Sequence, residues 1–291
     1  MSGSARTIRC GSTRRSCLLV TATPKHERPL SLISHGLGVL ILGALSFFLI
    51  EGPNLGWLFV PEMFAAVITV LTTIALMQQE RKGVHPLLPR ALFVTSSFIA
   101  INIIGLLFNF GLFALIFLLS LYLQQERGAD ALKAGIQLLP MMVGITVGNL
   151  CSARYSGRFG MQNIMLACSG AAALMALIVT VAQLYMSYPL LMLCMTIMSL
   201  FIAVAIPAMT TLAMQVAGRA YASSAAAALN ANRQIGGLVG VALVGIILYT
   251  VQDWTVRLSL AFATFTLAFG TVSFLVYRFV NVTKPTLFEG A

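Results

Sequence analysis

Polar residues interrupt this sequence at long intervals, and the apolar runs between them are long enough to cross a bilayer, which takes about 20 helical residues over ~30 Å of hydrocarbon. Eight such runs are expected, at 31–50, 57–77, 97–122, 134–153, 161–183, 189–215, 223–249 and 258–280. Each run is apolar all round rather than at every second position. That excludes the strands of an outer-membrane barrel, which alternate over about ten residues. The pattern predicts an all-α, polytopic helical membrane protein with about eight transmembrane helices.

Composition agrees. Of 291 residues, 59% are hydrophobic and 9% charged, with a mean hydropathy of +0.93, values that exclude a soluble enzyme, a disordered chain or a disulfide scaffold. The five cysteines, Cys10, Cys17, Cys151, Cys168 and Cys194, form no close pair and no metal-ligand spacing, and read as packing residues.

A net charge of +10 raises nucleic acid as a partner, so the places of the 18 Lys and Arg residues matter more than their number. Fifteen fall on one face: Arg6, Arg9, Arg14, Arg15, Lys25, Arg28, Arg81, Lys82, Arg90, Arg154, Arg158, Arg219, Arg233, Arg278 and Lys284. Only Arg127, Lys133 and Arg257 fall on the other. By the positive-inside rule both termini are expected in the cytoplasm, the partner is the lipid bilayer, and no nucleic acid is called for. Trp57 and Trp254 lie in or beside outer loops, where aromatic rings favour the interface. The first residues lack the apolar core of a signal peptide, and the Arg14-Arg15 pair is followed by Pro24 to Glu27 instead of an apolar stretch, so this segment reads as a cytoplasmic tail.

Candidate chemistry is sparse. Glu62 is the one acidic residue inside a span, about a turn from its outer end, where an interfacial or paired carboxylate is expected. His26 and His85 are in cytoplasmic segments and His35 begins a span, so nucleophile–base pairs and metal-ligand sets are missing; neither an enzyme nor a metal site is expected. The spans carry neutral amides instead: Asn102 and Asn109, then Gln137 and Asn149, then Asn230, Asn232 and Gln234 around Arg233. Buried amides need partners or water, and an intramembrane arginine must reach an interface, backbone carbonyls or a ligand. Gly144 and Gly148, continued by Ser152, and Gly236 and Gly240 recur every four residues, spacing that lets helix backbones approach. Pro140 and Pro207 fall inside spans.

Several of these residues together resemble a known family. Glu51-Gly52-Pro53 with Gly56-Trp57, Pro86-Leu87-Leu88, Leu121-Tyr122-Leu123-Gln124-Gln125, Ala134-Gly135 and Leu139-Pro140 are similar to the second half of fourteen-span drug:proton antiporters of the major facilitator superfamily. Asn230, Arg233-Gln234, Gly236-Gly237, Gly240, Ala242 and Gly245 resemble that family's penultimate span. Arg154 to Gly160 resembles the superfamily's short gating loop, with Gly157 where an acidic residue is usual; Arg154, Gly157, Arg158 and Gly160 are its candidates.

The resemblance implies a tail at 1–29, two connecting transmembrane helices and their loop at 30–90, a six-helix bundle at 91–280 built from two inverted three-helix units, and a tail at 281–291. It implies multidrug efflux of lipophilic or amphipathic small molecules, often cations, driven by a proton gradient across a bacterial-type inner membrane. The fourteen Met residues suit varied ligands. Asn102, Asn109, Gln137, Asn149, Asn230, Arg233 and Gln234 become candidates for a substrate cavity, and Gly144, Gly148, Gly236 and Gly240 for helix packing. The six spans that come first in that family have no counterpart here, so the chain is expected to be a truncated product or one that needs a separate six-span amino-terminal half. The alternative is a non-transporting membrane interaction or scaffold protein.

Overall fold

A computed structural model describes residues 32–55, 59–82, 92 and 94–280. The expected tails, Trp57 and the Pro86-Leu87-Leu88 segment lie outside the described residues. Among those described, every regular element is helical: α1 (Leu32–Leu55), α2 (Val60–Lys82), α3 (Ser96–Leu121), α4 (Ala131–Phe159), α5 (Met161–Ala182), α6 (Tyr188–Gly218), α7 (Ala220–Thr250) and α8 (Trp254–Phe279). Seven of these, α2 to α8, are long and apolar enough to cross a membrane by length and composition. α1 adds a shorter apolar stretch, Gly36–Gly52, and the start of the span expected there lies outside the described residues.

The junctions follow local chemistry. α3 ends in a π-helical turn, Tyr122–Glu126, and Gly128 then turns the chain at φ 62. Asp130 caps α4 by accepting from the Lys133 amide at 2.7 Å, and Asp253 caps α8 by accepting from the Val256 amide at 3.0 Å. α6 and α7 join at Gly218, whose φ of 72 and ψ of 170 are nearly closed to residues with a Cβ. The loop expected between 215 and 223 is therefore a sharp kink between two helices.

Packing among α3 to α8 has a pseudo-twofold pattern. α4 lies on α6, with Gly148 2.6 Å from the Leu200 carbonyl oxygen as measured from where a Cβ would stand, and with the Ser152 hydroxyl donating to the Val204 carbonyl at 2.7 Å. α7 lies on α3 through Gly236 and Gly240, where a Cβ would overlap the carbonyls of Leu106 and Phe110. The second helix of each triplet thus packs on the first helix of the other. The third helices meet each other, through a 2.8 Å bond between the Ser169 and Ser273 hydroxyls. Both small-residue tracks occupy corresponding helices, which is why the two triplets interlock.

Phe108, Phe110, Phe262, Phe265 and Phe269 fill the centre between α3 and α8, with ring centroids 5.4 to 6.4 Å apart. α1 and α2 form a hairpin of their own, and α1 also touches the long α6–α7 arm.

Candidate functional site

The seam between α3 and α7 positions the polar residues. With Gly236 and Gly240 against backbone, Asn232 is brought to Asn102, and its Nδ2 donates to the Asn102 Oδ1 at 2.8 Å. Asn102 Nδ2 in turn donates to the Phe98 carbonyl at 2.9 Å, and Asn109 Nδ2 to the Gly105 carbonyl at 3.2 Å. Asn102 is 5% exposed and Asn109 3%. Both candidates are buried between helices, each donating to its own helix, and Asn102 also accepts across the seam from Asn232. Depth along a span is readable from hydropathy, whereas rotation about the helix axis is set by the glycines that choose the contact face.

The rest of α7 differs. Ser223, Ala227, Asn230 and Gln234 form an exposed stripe at helical spacing. Arg233 sits between that stripe and the α3-facing residues Leu229, Gly236 and Gly240. Its stem leans on α3, the Cγ 3.4 Å from where a Cβ on Gly105 would stand. Its Nε is buried without a hydrogen-bond partner. On α4, Asn149 is exposed, while Gln137 is half-buried with its Oε1 unpartnered. The seven cavity candidates therefore divide into two seam amides, three exposed amides, the half-buried Gln137 and the half-buried Arg233.

Of the expected gating loop, Arg154, Gly157 and Arg158 belong to the last turns of α4, which runs to Phe159. Gly160 alone joins α4 to α5, at φ 82 and ψ 147. The basic residues ended the apolar run but not the backbone hydrogen-bond ladder, so the helix continues past the span. Along this end Tyr155 stacks on Phe159 at 6.3 Å, and the Arg158 guanidinium lies 5.4 Å from the Phe159 ring centre.

Glu62 also departs from expectation. It is 0% exposed, on the α2 stripe that also buries Ala65 and Thr72. No hydrogen-bonding partner for either carboxyl oxygen stands among the described residues. The wide apolar outer face of α2 leaves only this narrow stripe against neighbouring chain, and Glu62 falls on it.

A cluster that the sequence reading missed sits at the opposite end of the bundle from Gly160. Arg257 donates from Nε to the Val251 carbonyl at 2.6 Å and from Nη2 to the Leu248 carbonyl at 2.8 Å, so it caps the end of α7 while lying 4.7 Å from the Trp254 ring centre. Trp254 meets Tyr122 edge-on at 5.6 Å, and Arg127 lies over Tyr188 at 4.4 Å. The signal was available: a cation in the first turn of α8 opposes its own helix dipole unless it serves the end of another helix. Gln183 similarly ties α5 to α8, donating to the Thr255 carbonyl at 2.7 Å and to the Ser259 hydroxyl. Among the described residues no three His, Cys, Asp or Glu side chains stand close enough to hold a metal ion.

The sequence profile of the Major Facilitator Superfamily matches residues 16–241. The chain is 37% identical over 269 residues to the methylenomycin A resistance protein of Bacillus subtilis, covering 92% of this chain and 58% of that protein. It is 35% identical over 253 residues to the methylenomycin A resistance protein of Streptomyces coelicolor, covering 86% and 53%. It is 25% identical over 234 residues to the multidrug resistance protein Stp of Mycobacterium tuberculosis, covering 80% and 43%. The chain thus spans a little over half the length of the first two. The nucleoside transporter NupG shares the fold at a TM-score of 0.54 with 16% identity, over 82% of this chain and 66% of that one.

Proposed function

The chain belongs to the Major Facilitator Superfamily, and from that membership we propose that it acts in the efflux of lipophilic or amphipathic small molecules, coupled to a proton gradient. One observation carries the reading. Asn149, Asn230 and Gln234 are exposed within the long apolar stretches 131–152 of α4 and 220–250 of α7, and an unpaired amide facing hydrocarbon costs several kcal/mol. These amides face water or another protein surface. A polar face on a six-helix bundle is what alternating access requires, since the substrate path runs between two bundles. The relatives are named for resistance to methylenomycin A and for multidrug resistance, which supports export over a purely structural role.

In this reading α3 to α8 form one transport bundle, α1 and α2 are the connecting pair, and a six-span polypeptide segment supplies the opposing bundle. The kinked joint at Gly160 and the end of α4 form the inner gate. Both termini face the cytoplasm across a bacterial inner membrane. Single cysteines introduced at positions 158 and 254 test that orientation in sealed cells: an impermeant thiol reagent added outside labels position 254 and spares 158, and the reverse pattern would overturn it.

Transport is tested in proteoliposomes carrying an imposed proton gradient, with ethidium and dansylglycine as fluorescent amphipathic probes of opposite charge, movement of either counting as transport, using the chain alone and with a companion six-span polypeptide. Gradient-dependent probe movement with the companion is the expected result. No gradient-dependent movement in either preparation would refute the efflux reading.

A further inference from the structure

Arg233 is a cation without a counter-charge in its own bundle. Between Ser96 and Phe279 the acidic residues are Glu126, Asp130 and Asp253, all at helix ends, and two of them are committed to capping the amides of Lys133 and Val256. At 1.5 Å per residue, Arg233 lies about 20 Å along α7 from Ala220 and about 26 Å from Thr250. Asp253 lies beyond Thr250, out of reach. Among the described residues, none hydrogen-bonds its buried Nε. An unpaired cation at this depth is expensive, and a carboxylate is the partner that suits a planar guanidinium best, through two parallel charge-assisted bonds.

The surroundings are arranged to hold such a group. The Arg233 stem rests beside Gly105, its Cγ 3.4 Å from where a Cβ there would stand, and one turn along α3 the Asn102–Asn232 bond fixes the buried side of the seam. On its other side Asn230 and Gln234 are exposed and can donate amide hydrogens to an anion. Nothing acidic lies on this stripe to attract a cation.

We propose that Arg233, flanked by Asn230 and Gln234, is a recognition site for a carboxylate, so that the ligands of this bundle are amphipathic organic acids. This rests on the efflux reading and reverses the charge expected from the family resemblance, which pointed to cations. The same chemistry could be met by an acidic side chain of the opposing bundle, and the experiment separates the two sources.

The full chain, purified in lipid nanodiscs, is titrated with dansylglycine, a carboxylate, and with dansylcadaverine, an amine bearing the same fluorophore. The chain is expected to bind dansylglycine and to bind dansylcadaverine at least about tenfold more weakly, with Arg233→Gln losing at least about tenfold in dansylglycine affinity and Arg233→Lys retaining part of it. Equal binding of both probes, tighter binding of the amine, or unchanged dansylglycine binding by Arg233→Gln would overturn the proposal. If Arg233→Gln does not fold, the discrimination between the probes by the unaltered chain still decides. Absence of dansylglycine binding would assign the arginine to a protein carboxylate and refute the ligand site. Because binding is read without a gradient, this result is independent of the proteoliposome flux that tests efflux itself.

Discussion

α3 and α2 are both long apolar helices, yet they live in different surroundings. α3 buries 61% of its most apolar window inside the protein and α2 only 17%. The glycines make the same contrast. Those of α3, α4 and α7 at Gly105, Gly111, Gly148, Gly236 and Gly240 stand against other chain, whereas Gly36, Gly38 and Gly43 of α1 have nothing within 4 Å of a Cβ position. Hydropathy reports that a helix avoids water, and it is silent on whether lipid or protein replaces the water. In a bilayer apolar surface gains little by leaving lipid for protein, so close backbone approach and buried polar bonds decide which helices form a core.

The largest expected effect comes from filling the α3–α7 seam. Gly240→Leu drives a side chain into the Phe110 backbone and should destabilise the bundle by about 3 kcal/mol, read as a lost folded fraction and a lower midpoint in detergent denaturation. Arg257→Ala removes two charge-assisted bonds to the end of α7 and its contact with Trp254, an expected loss of about 2 kcal/mol in the same assay. Asn232→Ala breaks one interhelical amide bond and should cost only about 0.6 kcal/mol. Gly43→Leu, the counterpart of the first change in the α1–α2 hairpin, should alter stability by less than about 0.5 kcal/mol. Equal losses from Gly240→Leu and Gly43→Leu would erase the contrast between the two regions.

Much of this architecture was legible before any coordinates. The run expected at 97–122 is the helix Ser96–Leu121, and that at 161–183 is Met161–Ala182. The Gly144/Gly148 and Gly236/Gly240 tracks stand against α6 and α3, and the small side chains that allow such approach are a property visible in sequence. Helix ends were less visible where charge and helicity part company, as at Arg154 to Phe159, where α4 outlasts its apolar run. The site was legible in residue type but not in orientation. Asn102 and Asn149 read alike as mid-span amides, yet one bonds Asn232 in a seam and the other is exposed, because the facing direction depends on a partner helix distant in sequence. Glu62 shows the same limit, since its depth suggested an interface and its rotation placed it on the one buried stripe of α2.

The proposed efflux requires that the exposed amide stripe of α7 border a watery path and not lipid. In a cysteine-free background, Gln234→Cys and Leu267→Cys are treated in membranes with a hydrophilic methanethiosulfonate reagent, Leu267 being an apolar residue of α8 that is 72% exposed. Modification is expected at position 234 and none at 267, where a thiol facing hydrocarbon stays protonated. Equal silence at both positions would mean that the stripe is covered by lipid or protein, and equal reaction at both would mean that exposure in this bundle does not distinguish water from membrane.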